Sequence, residues 1–278
     1  MGLVEGKVAF ITGAARGQGR SHAVELAREG ADIIAVDICG PVEAMEGSYA
    51  MATPEDLEET ARLVQEQDRR CVTGIVDVRD RERLAQAVRA GVEELGRLDI
   101  VAANAGIWAV HLEEPTDPAR REVVWRDTIG INLTGVWNTL EATTPIMVEA
   151  GRGGAIVITS STQGLKGAAN NDISLTSYTA AKHGLVGLMR VAAVDLAPHW
   201  IRVNTIHPTA VLTPMVENEI VGAYAEQNPR FAEVTQNLLP VPAIEASDMT
   251  NALMYLVSDR GRYVTGVALP VDAGYLIG

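Results

Sequence analysis

Val8-Ala9-Phe10-Ile11-Thr12-Gly13-Ala14-Ala15-Arg16-Gly17-Gln18-Gly19 passes from a short apolar run into a glycine-rich turn. The residues that follow, 21–29, place Ala23, Leu26 and Ala27 at helical spacing. Strand, glycine turn and helix in that order predict more than any of the three alone. Glycines let the backbone turn tightly at the strand end, and the first turn of a helix offers free N–H groups to an anion. The alternative, a plain turn between a strand and a helix, leaves Gly13, Gly17 and Gly19 without a common purpose.

Working outward, Gly30 stops the helix and residues 32–36 (Asp-Ile-Ile-Ala-Val) read as a second strand. Asp37 closes it. A carboxylate there accepts hydrogen bonds from ribose hydroxyls and repels a 2′-phosphate, which favours NAD over NADP. Arg16 is the opposing signal, because a cation beside the turn suits a 2′-phosphate. It can equally serve the pyrophosphate, Asp37 or solvent. Further strands are expected at 71–76, 98–103, 155–159, 201–206 and 267–271. Helices are expected at 80–95, 118–150 and 177–196. Alternating β and α segments with fully apolar strands imply an α/β fold, a doubly wound, mostly parallel sheet with helices on both faces. No linker divides the 278 residues, so residues 1–278 are expected to form a single domain.

Composition narrows the function classes. With 23 basic and 36 acidic residues the formal charge is −13, a poor match for nucleic acid or an anionic membrane. No apolar run reaches the ~18 residues a membrane span needs. The start, Met1 to Lys7, has neither the basic residues nor the apolar stretch of a signal peptide, so a cytoplasmic location is expected. Cys39 and Cys71, the two cysteines, are expected to be reduced thiols, and no His/Cys set has metal-ligand spacing.

Two further turns lie at predicted strand ends, where open α/β sheets bind ligands. Asp77-Val78 follows the third strand and is read as meeting an adenine, although an Asp there is as often a helix cap. Asn104-Ala105-Gly106 follows the fourth, with Asn104 tying strand ends together. Later in the chain, Tyr178 and Lys182 stand one helical turn apart on one face. Oxidising an alcohol requires loss of its hydroxyl proton. A phenol with a reference pKa of about 10 becomes a useful base when a nearby cation favours its phenolate. Ser161 follows the fifth strand and is placed to hydrogen-bond the reacting oxygen, and Asn132 to position a water beside Lys182. Singly, each residue has an ordinary surface or capping role.

Taken together, Thr12-Gly13-x-x-x-Gly17-x-Gly19, Asn104-Ala105-Gly106, Asn132, Ser161, Tyr178-x-x-x-Lys182 and Asn204-x-x-x-Pro208 resemble the short-chain dehydrogenase/reductase family over nearly the whole chain. The resemblance implies a Rossmann-like fold and a catalytic tetrad of Asn132, Ser161, Tyr178 and Lys182. It implies NAD bound by Gly13, Arg16, Gly17, Gln18, Gly19, Asp37, Ile38, Asp77, Val78, Asn104, Ala105, Gly106, Tyr178, Lys182, Pro208 and Thr213, and a homotetramer paired through two long helices. Ser161 is preferred to Ser160 because Gly164 follows it by three. Thr209 departs from the glycine that often follows the proline. The stretch 166–174 lengthens the interval between Ser161 and Tyr178.

The segment at about 38–54 is a longer passage from second strand to helix than most members have, with Thr53 as expected N-cap and Pro54 as first helical residue. With His207-Pro208-Thr209 and Arg262-Tyr263-Val264-Thr265-Gly266, it resembles the mycofactocin-associated, carveol dehydrogenase-like subgroup. That resemblance implies a lid, carrying Met45, Tyr49 and Met51, over tightly held NAD. The cofactor would be re-oxidised in place by a mycofactocin-derived redox carrier. A second irregular stretch, about 208–246, is expected to be a substrate loop. Trp108, Trp125, Leu165, Met215, Tyr224 and Phe231 are expected to line an apolar pocket for a small hydrophobic secondary alcohol or its ketone. The competing readings are a carbonyl reductase with freely exchanging NAD(P)H and a non-catalytic nucleotide-binding sensor.

Overall fold

The computed structural model describes residues 2–167 and 172–278. Among them, seven strands form one parallel sheet in the order β3-β2-β1-β4-β5-β6-β7: β1 (Val8–Thr12), β2 (Asp32–Asp37), β3 (Cys71–Ile75), β4 (Ile100–Ala103), β5 (Gly154–Thr159), β6 (Ile201–Pro208) and β7 (Ala268–Val271). The order reverses beside β1, so the carboxyl ends of β1 and β4 flank a crevice.

Period-two alternation divides the strand side chains between two cores. Phe10, Ile34, Val101 and Ile158 meet α3 (Arg81–Leu95), α4 (Pro118–Ile129), α5 (Gly135–Ala150) and α6 (Ile173–Leu196). Ile11, Ile33, Ala102 and Val157 meet α1 (Gly17–Arg28), α2 (Pro54–Gln65) and α9 (Ala246–Val257). Both faces of the sheet are therefore covered, and the continuous apolar runs follow from that.

The helix expected over 118–150 is not one uniform α-helix. Residues Gly130–Thr134 form a π-helical turn between α4 and α5. The long helix after Ser161 starts at Ile173 rather than Ser177, because Asp172 caps it by accepting from the Leu175 N–H at 2.6 Å. Residues 168–171 of the expected longer interval lie outside the described residues. Thr53 and Asp56 form a reciprocal capping box at α2, with Pro54 at its first turn. The stretch 208–246 carries two short helices, α7 (Glu219–Gln227) and α8 (Pro229–Val234). Its ends are joined by pairing of Val211 with Ile244.

Candidate active site

A cleft of about 350 Å³ opens at the carboxyl edge of the sheet. It brings together Gly13, Arg16, Gly17, Gln18, Asp37, Ile38, Asp77, Val78, Asn104, Ala105, Gly106, Ser161, Tyr178, Lys182, Pro208 and Thr213. Of the residues singled out in the sequence, Gly19 and Asn132 stand behind its wall.

The turn after β1 is shaped by close approach. Gly13 has φ +66°, and a Cβ there would lie 2.8 Å from the Ala105 Cα. A Cβ on Gly19 would lie 2.0 Å from the Gly13 carbonyl oxygen, so this glycine lets α1 seat against the turn. Arg16 precedes α1 with extended backbone and no side-chain cap, which leaves the first N–H groups of the helix open toward the cleft. Asn104 ties three strand ends: its Nδ2 donates to the Thr12 and Gly13 carbonyls at 3.2 and 3.3 Å, and its Oδ1 accepts from Thr159 at 3.1 Å.

Asp37 uses one lone pair on each carboxylate oxygen for the chain itself, accepting from Ala15 N at 3.0 Å and Cys39 N at 3.1 Å. The carboxylate is thereby fixed at the cleft wall with further acceptor capacity. Arg16 does not pair with it. Its guanidinium donates to the Ala50 carbonyl, within the 38–54 segment. Asp77 lines the cleft but is gripped in bidentate fashion by Arg79, whose Nε donates to Oδ1 at 3.1 Å and Nη2 to Oδ2 at 2.7 Å. Arg79 also reaches the buried Asp127 of α4 at 2.9 Å, and Asp127 accepts from Ala44 N at 3.1 Å.

That chain of contacts is one of several that fasten 38–54 to the body. Arg120 donates to the Glu43 and Glu46 carbonyls at 2.9 and 3.0 Å, and Arg126 pairs with the Glu43 carboxylate at 2.9 Å. Tyr49, Met51 and Ala52 line the cleft directly. Arg79, Arg120 and Asp127 were not singled out in the sequence, because their partners lie 48 to 83 positions away.

At the other end of the cleft stand Ser161, Tyr178 and Lys182. Ser161 and Tyr178 line the cleft together, and the Ser161 Oγ accepts from Gln163 N at 3.1 Å. Ser160 is turned away, donating to the Lys182 carbonyl at 3.0 Å. Lys182 is buried and donates to the Thr159 carbonyl at 2.8 Å, with its Nζ 5.5 Å from the centre of the Tyr178 ring. In the protein itself desolvation governs both groups. Burial pushes the phenol up to about 12, offset in part by Ser161, and brings the ammonium down to about 7. The lowered phenol expected from the Lys182 charge is therefore not a property of the protein groups alone.

Asn132 sits in the π-helical turn with no exposed surface. Its amide grips the Ile107 main chain, donating to the carbonyl and accepting from the N–H, both at 2.8 Å. A Cβ on Gly106 would lie 3.3 Å from Asn132 Oδ1 and 3.5 Å from Lys182 Nζ, so both polar atoms converge on the same side of that glycine.

His207 supports Ser161 from below. Its Nδ1 donates to the Ser161 carbonyl at 2.7 Å, and its Nε2 accepts from the Thr205 hydroxyl at 2.8 Å. Burial lowers its pKa to about 4, so it is neutral near pH 7. Gln163 and Tyr275 also line the cleft, joined by a 2.7 Å hydrogen bond. Gln163 stands two residues after Ser161 on the same loop, a position from which it was recoverable. Trp108, Met215 and Phe231 line the cleft, and Tyr224 packs on Trp108 and Phe231 behind it. Trp125 and Leu165, expected there, are instead partly solvent-exposed at 43% and 37% and are not part of the lining.

A family model described as enoyl-(acyl carrier protein) reductase matches residues 13–276. The chain is 49% identical to (−)-trans-carveol dehydrogenase of Rhodococcus erythropolis over 284 aligned positions, covering 99% of each protein. A solved carveol dehydrogenase from Mycobacterium avium in complex with NAD superposes with a TM-score of 0.91 at 53% identity, covering 100% of both chains. A short chain dehydrogenase from Mycobacterium paratuberculosis bound to NAD gives 0.91 at 45% identity, again over 100% of both. With the parallel sheet, the glycine turn and the Ser161–Tyr178–Lys182 cluster in one cleft, these matches establish that the chain belongs to the short-chain dehydrogenase/reductase family and is an oxidoreductase similar to carveol dehydrogenases over its full length.

Proposed function

We propose that the protein is an NAD-dependent dehydrogenase of a small hydrophobic secondary alcohol, with Tyr178 as general base. The observation that carries the reading is the gathering of Ser161, Tyr178 and Lys182 at one end of a cleft whose other end holds Gly13 and Asp37. The residues fit NAD. Gly13 lets the turn close onto Ala105 and leaves a cradle beside the uncapped start of α1, which would hold the pyrophosphate, and Asp37 offers acceptors that suit a ribose rather than a 2′-phosphate. Gln18, with a buried Oε1 lacking a partner among the described residues, borders the same cradle. Ile38, Asp77 and Val78 bound the adenine side, and Pro208 and Thr213 the nicotinamide side.

NAD, when bound, would supply the hydride acceptor and a positive charge that favours the Tyr178 phenolate. Ser161 holds the substrate oxygen and Tyr178 removes its proton. Lys182 holds the nicotinamide ribose, and its charge adds to the field that favours the Tyr178 phenolate. Asn132 fixes the Ile107 loop and bounds a water site through which Lys182 exchanges protons with solvent.

The 38–54 segment acts as a lid that would keep NAD in place, so that its re-oxidation would call for a mycofactocin-derived redox carrier. Its support is the set of hydrogen bonds that Arg16 and Arg120 donate to the segment and that Asp127 accepts from it. The enzyme works in the cytoplasm as a homotetramer paired through α5 and α6, where Val191 and Val194 of α6 expose 62% and 74% of their surface.

Tyr178→Phe tests the base. Turnover of carveol or another secondary alcohol is expected to fall at least about 10²-fold, the lower end of what general-base catalysis contributes, with NAD(H) content unchanged. Undiminished turnover refutes the assignment.

A further inference from the structure

Tyr49 belongs to the 38–54 segment, yet its principal polar contact is not with the nucleotide end of the cleft. Its ring is buried, it lines the cleft, and its hydroxyl accepts from the Trp108 backbone N–H at 3.2 Å. Trp108 lies on the loop after β4. Its indole packs against Tyr178 with ring centres 6.4 Å apart, against Phe231 at 5.9 Å and edge-on against Tyr224 at 5.7 Å. Phe231 and Tyr224 in turn stack edge to face at 5.3 Å. One side chain from the segment that flanks the cofactor end thus fixes the backbone of the residue that connects the base to the apolar helices α7 and α8.

We propose that Tyr49 is a specificity-determining residue: through Trp108 it sets the apolar wall against which the hydrocarbon skeleton of the substrate packs. The inference rests on the alcohol dehydrogenase reading above. Burial makes the contact firm. Desolvation raises the Tyr49 phenol above its ordinary range, so it stays neutral near pH 7 and remains a hydrogen-bonding hydroxyl. The aromatic contacts of Trp108 are each of the tilted or edge-on kind that favours one ring position over its neighbours. A displaced Trp108 backbone therefore moves a whole wall. The ligand class selected is a cyclic secondary alcohol whose ring lies on the indole while its hydroxyl reaches Tyr178. A small acyclic alcohol makes little use of that wall.

Tyr49→Phe removes the hydroxyl and keeps the ring. The assay compares cyclohexanol and carveol with 2-butanol, alongside NAD(H) content after extensive dialysis. The expected result is a fall in kcat/KM of about three- to tenfold for the cyclic alcohols, the effect of one net hydrogen bond, carried mainly by KM. For 2-butanol the change stays under about twofold on the same scale, and NAD(H) content matches the wild type. An unchanged kcat/KM for the cyclic alcohols, or the same fold-change for both classes, overturns the proposal. An equal loss for both classes together with lost NAD(H) also overturns it, making Tyr49 a cofactor-retaining residue alone. A wild type that oxidises none of the three, with added NAD or with an artificial electron acceptor, would instead remove the dehydrogenase reading. The wall is then read by fluorescence in a Trp125→Phe, Trp137→Phe, Trp200→Phe background, three partly or largely exposed positions that leave Trp108 as the one indole. Quenching by carvone that weakens in Tyr49→Phe supports the wall, and quenching indifferent to Tyr49 overturns it.

Discussion

Asp127→Ala isolates the contact between α4 and the 38–54 segment. The carboxylate is 2% exposed and serves three donors: Ala44 N at 3.1 Å, Arg79 at 2.9 Å and Arg126 at 3.2 Å. Removing it orphans the Ala44 N–H. Ala44 is itself buried, so the full desolvation penalty of an unmet donor applies, about 1–3 kcal/mol. Arg79 loses less. It keeps the bidentate Asp77 pair and is about one-third exposed, so its share is about 1 kcal/mol rather than the 3–5 kcal/mol of a broken, fully buried pair. Arg126 is mostly solvated and pairs with Glu43, and contributes little. The sum is about 2–4 kcal/mol, a fall in Tm of roughly 3–7 °C for a chain of this size. Asp127→Asn keeps the shape but offers one acceptor oxygen, so about half that fall is expected. Thermal unfolding gives the first number, and NAD(H) content after dialysis shows whether loosening 43–46 loosens the cofactor. A Tm for Asp127→Ala within about 1 °C of wild type would refute the reasoning, since the cost of an unmet donor cannot vanish at a buried site.

Gly13→Ala places a Cβ 2.8 Å from the Ala105 Cα at φ +66°, and Asn104 holds that backbone against retreat. Loss of NAD binding by titration is expected, with about 1–2 kcal/mol of backbone strain added in unfolding experiments. Acid should weaken the fold well above the range of the carboxylates. His22 and His207 are buried, and desolvation lowers them to about 3 and about 4 from 6.5. Their folded values lie below the unfolded one, so their stabilisation is complete above about pH 6.5. It is lost as pH falls toward about 4, where the unfolded imidazoles hold protons the folded ones refuse, at about 1.4 kcal/mol per pH unit for each. Urea unfolding at pH 7.5, 6 and 5 checks it, and equal stability at all three contradicts it.

The sheet and the glycine turn were legible because each rests on local chemistry. Phe10-Ile11 before Gly13, or Asp37 at the end of an apolar run, carries its meaning in a dozen neighbouring residues. Thr53 and Pro54 announced α2 for the same reason. What the sequence concealed is pairing at a distance. Arg16 had several plausible partners and takes the Ala50 carbonyl, 34 positions on. Asp77 reads as a strand-end acid facing a ligand, yet Arg79 holds it and links it to Asp127. Trp125 looked like a pocket aromatic because nothing local says which face of α4 is buried, and that helix has a weakly amphipathic pattern. The early start of α6 depended on Asp172 as a cap, with Ile173 and Leu175 buried behind it.

The π-helical turn at 130–134 also marks a place where this chain carries one residue more than a continuous helix needs. Its i→i+5 hydrogen bonding takes up an extra residue within one turn, so α4 and α5 keep a common register on either side of it. Val124 on one side and Val136 and Leu140 on the other face the same core across the turn. Deleting one residue of 130–134 would restore a smooth helix with those apolar side chains still packed. It would carry Asn132 off the Ile107 loop. A shortened chain would therefore keep its fold here and lose part of its site.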